Sequence, residues 1–99
     1  MQERELTRLS CMVSAIVARP SMIKELTDIV LSDYCKITKK NKTYKESEDL
    51  VQAVRALRAA IIEHNAYDKM SLQKVGKQLS ESPDQNIRFA GFALVAIVG

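Results

Sequence analysis

Apolar residues recur along this chain at steps of three and four, and nowhere do apolar and polar positions alternate cleanly over five residues. A period near 3.6 places such residues on one face of a helix, so the pattern predicts helices and no strands. Leu6, Leu9, Val13, Ile16 and Val17 mark a first helix over residues 2 to 18. Pro20 ends it, because a proline disfavours the helical conformation of the residue before it. Ser21 then stands where it would cap a second helix, striped by Ile23, Leu26, Val30, Tyr34 and Ile37 and fraying near Thr38.

Thr43 and Glu46 have the spacing of a capping box, in which hydroxyl and carboxylate each accept from the other residue's backbone N–H. They open a third helix that runs to about His64, with Leu50, Val54, Leu57 and Ile61 in heptad spacing. Ala53, Ala56, Ala59 and Ala60 add intrinsic helix preference. The stretch Asn65–Lys69 reads as a turn, and Ser71 as the start of a short fourth helix with Leu72, Val75 and Leu79 on one side. Ser82-Pro83-Asp84-Gln85 is the clearest start signal. It offers serine as N-cap, proline at the first helical position, an acid at the positive end of the dipole and glutamine to close a capping box. A fifth helix is predicted from Pro83 to near the end.

This last helix breaks the amphipathic pattern. After Arg88 the chain carries no charged or hydrogen-bonding side chain. Wound at ~100° per residue, Ile87, Phe89, Phe92, Leu94, Val95, Ile97 and Val98 cover the whole circumference. A helix without a polar face has to be surrounded. With ~1.5–3 kcal/mol for each large side chain fully buried, leaving half of them wet would forfeit an amount comparable with a small domain's whole stability. Either the four amphipathic helices wrap the fifth, or two copies of the chain bury their fifth helices together. A third solution is cover from residues beyond 99 in a longer chain. The expected fold is therefore all-α, a compact five-helix domain over residues 1 to 99 with the apolar C-terminal helix at its centre or at a dimer interface.

Composition supports this reading. Only three Gly and two Pro occur in 99 residues, too few turns for many short strands. Apolar residues at 46% and charged residues at 27% are ordinary for a globular protein and argue against disorder. The two cysteines, Cys11 and Cys35, fall within helical apolar patterns and read as small core residues in a reducing compartment. The closing apolar run is about half of what a bilayer span requires. The segment from Cys11 to Ala18 has acidic flanking sequence before it, unlike a signal peptide. A cytoplasmic protein without membrane attachment is expected.

The net charge of +3 is unevenly spread: residues 36 to 45 hold five lysines and no acid, so the remainder sums to −2. Lys36, Lys39, Lys40, Lys42 and Lys45, flanked by Tyr34 and Tyr44, form a patch that would suit phosphates and stacked bases. Lysines closing one helix and acids opening the next also arise from helix dipoles alone, and residues 36 to 45 hold no arginine to read bases.

Catalytic chemistry finds little footing. The one histidine, His64, lies where the third helix runs out, a place that favours a carbonyl cap or the negative end of the dipole. A cysteine–histidine pair would need Cys11 or Cys35 to meet it in space. No metal-ligand spacing and no glycine-rich phosphate loop occur. No catalytic residue, cofactor, metal or small-molecule substrate is assigned.

Two binding surfaces are. The fifth helix, with small residues Ala90, Gly91, Ala93 and Ala96 between the large ones, permits close helix approach, and Phe89, Phe92, Val95 and Ile97 are its interface candidates. Residues 71 to 90 also have the outline of a helix-turn-helix, with Gly76 where the helices would cross and Gln85, Asn86 and Arg88 on the exposed first turn of the second helix. Against it, Ser80 and Glu81 stand where the motif usually has a glycine and an apolar residue, and Asp84 would face phosphates. The expectation is a small non-enzymatic regulatory or accessory protein that binds another protein or itself as a homodimer. The alternative is a DNA-binding transcriptional regulator that uses residues 71 to 90 together with the lysine patch.

Overall fold

The computed structural model describes residues 2–28, 30–31 and 48–99. Every regular element among them is helical: α1 (Glu3–Ala18), a 3₁₀ turn (Pro20–Met22), α2 (residues 23–28 and 30–31), α3 (Glu48–Glu63), α4 (Lys69–Ser80) and α5 (Gln85–Val98). The fold is all-α. None of these helices is long and apolar enough to cross a membrane.

Each apolar stripe becomes a buried face. Leu9, Val13 and Ile16 of α1 are fully covered, with Val17 partly so, and Leu50, Val54, Leu57 and Ile61 of α3 are buried together with Val51 and Ala53. Cys11 corrects its expected place in the core. It lies about 200° around α1 from the Leu9 and Val13 directions, and its thiol is exposed. Cys35, Tyr34, Ile37, Thr38, the lysine patch and the Thr43–Glu46 box lie outside the described residues.

The helix ends depart from the sequence reading in three places. Ser21 sits inside the 3₁₀ turn, whose first carbonyl bond runs from the Met22 N–H to Arg19 O at 3.0 Å, so it does not cap α2. Helix α4 begins at Lys69, because the Asp68 carboxylate accepts from the Ser71 N–H at 2.7 Å; Ser71 is the third helical residue and not the first. Helix α5 begins at Gln85, with Asp84 as N-cap in extended conformation. Its Oδ1 accepts from the backbone N–H of Asn86 at 2.9 Å and of Ile87 at 3.3 Å. Ser82, expected as that cap, instead accepts from the Asp84 N–H at 3.2 Å. An ionised carboxylate is a stronger acceptor than a hydroxyl for amides at the positive end of a helix, which explains why aspartate wins both times.

Helix α3 closes in a Schellman motif. Asn65 adopts a left-handed φ of 48°, the Asn65 N–H donates to Ile62 O at 3.2 Å, and the Ala66 N–H donates to Ile61 O at 2.9 Å. Buried Ala66 and Ile61 supply the apolar contact that accompanies this turn. Backbone amides thus satisfy the last carbonyls, the task the sequence suggested for His64.

Helix α5 packs against α1, α3 and α4, most extensively against α4. The α4–α5 crossing is close because neither helix carries a side chain there. A Cβ built on Gly91 would lie 2.7 Å from Gly76 O and from the Leu79 carbonyl carbon, and one on Gly76 would lie 2.8 Å from Val95 Cγ2. Ala90, Gly91, Leu94 and Val98 are the buried face of α5.

Candidate protein interface

The same crossing sets which residues of α5 look outward. With Gly91 seated on the backbone of α4, the helix has one rotation about its axis, and steps of ~100° carry Phe92 and Ala96 away from that contact, while Val95, ~40° from Gly91, borders the crossing. Phe92 is 51% exposed and Val95 40% exposed, and Ala96 is exposed beside them. Phe89 and Ile97 are partly buried and lean on the core from the flanks. The four interface candidates therefore divide: Phe92 and Val95 form the open face, and Phe89 and Ile97 form its edges. Helices α1, α3 and α4 pack against its inner side, and Phe92 stays half exposed.

Among the described residues the other large exposed apolar side chains, Met22, Tyr67 and Met70, belong to the 3₁₀ turn, the α3–α4 connection and the first turn of α4. Scattered single side chains of this kind are ordinary on a protein surface. Helix α5 differs in that its open residues are neighbours one helical turn apart on a segment with no charge.

At the other end of α5 the candidate nucleic-acid residues are tied into the chain. Arg88 Nη1 donates to Ser82 O at 3.0 Å and to Pro83 O at 2.9 Å, folding the guanidinium back over the turn that precedes the helix. Asn86 Nδ2 donates to Asp49 Oδ1 at 3.1 Å and to Gln52 Oε1 at 3.2 Å on α3. Gln52 Nε2 in turn donates to Asp84 Oδ2 at 2.8 Å. One carboxylate, Asp84, thus caps α5 with one oxygen and ties it to α3 with the other. Gln85 is exposed. Two carboxylates, Asp49 and Asp84, hold the amides of Asn86 and Gln52, a charge that opposes a phosphate backbone. Lys36, Lys39, Lys40, Lys42 and Lys45 lie outside the described residues.

Among the described residues the potential chemical groups stay apart. His64 lines a shallow cavity of about 250 Å³ with Ser71, Lys74, Val75 and Gln78. Cys11 lines a different one, between α1 and α2. Among the described residues no group of three or more His, Cys, Asp or Glu is placed to hold a metal ion.

Sequence reasoning missed the Asp49–Gln52–Asp84–Asn86 network, which joins residues more than thirty positions apart and leaves no periodic trace. It also missed Thr27, a fully buried polar residue whose hydroxyl donates to Ile23 O at 2.6 Å. That one was findable, since Thr27 lies on the stripe between Ile23 and Val30 and a helical threonine can bond the carbonyl four residues back.

Comparison with protein-family models, with curated proteins and with solved structures returned no match.

Proposed function

We propose that this chain is a small, non-enzymatic regulatory or accessory protein of the cytoplasm that acts by binding protein, with the outer face of α5 as its contact surface and a second copy of the chain as the occupant. The observation that carries the proposal is Phe92, half exposed on a helix whose opposite side is locked into the core. Full burial of a phenylalanine is worth ~1.5–3 kcal/mol, so covering the exposed half returns about 1 kcal/mol from this residue alone. A two-fold axis repeats each such contact. Although each chain carries +3, no charged side chain follows Arg88, so two such faces meet without like charges opposed. Val95 and Ala96, exposed next to Phe92, offer a partner's phenyl ring apolar surface to cover.

Light scattering across a range of micromolar concentrations tests this. The expected molar mass rises from the monomer's 11.1 kDa towards twice that value, and Phe92→Glu returns it to the monomer without loss of helical circular dichroism. A wild-type chain that stays at 11.1 kDa at the highest concentration rejects the self-pairing.

A further inference from the structure

We draw no further inference here: the strongest candidate, the apolar groove of about 300 Å³ between α1 and α2 lined by Arg8, Cys11, Met12, Ala15, Leu26 and Val30, carries nothing because no feature of the structure shows what covers it.

Discussion

Gly76 and Gly91 face each other across α4 and α5, yet a methyl group added to each meets a different obstacle. On Gly91 the new Cβ collides with backbone atoms of Gly76, Leu79 and Ser80, which cannot move without separating the helices. On Gly76 the nearest atom is the Val95 Cγ2, the end of a side chain, with the Val95 backbone N at 3.2 Å and the Leu94 Cβ at 3.3 Å behind it. Alanine gains ~1 kcal/mol of helix preference over glycine at either site, whereas overpacking against a fixed wall costs ~1–3 kcal/mol or more. Gly91→Ala should therefore lower the denaturant midpoint clearly, and Gly76→Ala should lower it less. Equal losses at both positions would contradict the crossing. Arg88 gives a second contrast. Its two bonds to Ser82 O and Pro83 O make it a brace for the turn before α5. Arg88→Ala should cost about 1 kcal/mol of stability, in the range of a charge-assisted hydrogen bond at a partly exposed site, and should leave salt-dependent heparin retention unchanged. Retention lost with stability intact would instead assign Arg88 to a ligand outside the chain.

At the scale of elements, capping by Asp68 gives the start of α4 a pH dependence. The backbone N–H of Ser71, followed by its side chain, holds the Asp68 carboxyl below the ordinary aspartate range. A carboxylate whose folded value is depressed adds stability that is fully present above its unfolded value and is lost as pH falls through the folded one. Amides in the first turn of α4 should thus exchange faster as acid titrates Asp68, and Asp68→Asn should flatten that acid dependence while keeping an acceptor for Ser71. Exchange that stays equally pH-dependent in the variant would remove Asp68 as its cause. The elements themselves were legible from periodicity, since Leu9, Val13, Leu50, Val54, Leu57, Ile61, Leu72 and Val75 all lie where their spacing put them. Their starts were less so. Ser71 and Ser82 lie within three residues of Asp68 and Asp84, and the sequence shows both possible caps of each helix without ranking them. The interface was half legible: the uncharged run announces a helix that needs cover, but which side stays open depends on where Gly91 meets α4, a contact between distant segments.

For the whole molecule, the lack of a polar face on α5 and its position among α1, α3 and α4 are one fact seen from two sides. Helix α5 supplies the apolar surface on which the stripes of α1, α3 and α4 close, along Ala90, Gly91, Leu94 and Val98. Phe92 and Val95 are the remainder of the same apolar surface, left over when the helix has satisfied its neighbours. Native-state hydrogen exchange over Ala90 to Val98 tests the central place of α5 most directly. Amides held at the core exchange only through global unfolding. They should be among the slowest in the chain and should share one opening free energy with Val54 and Leu57 of α3. Exchange of this stretch at the rate of a free peptide, while α3 remains protected, would contradict it.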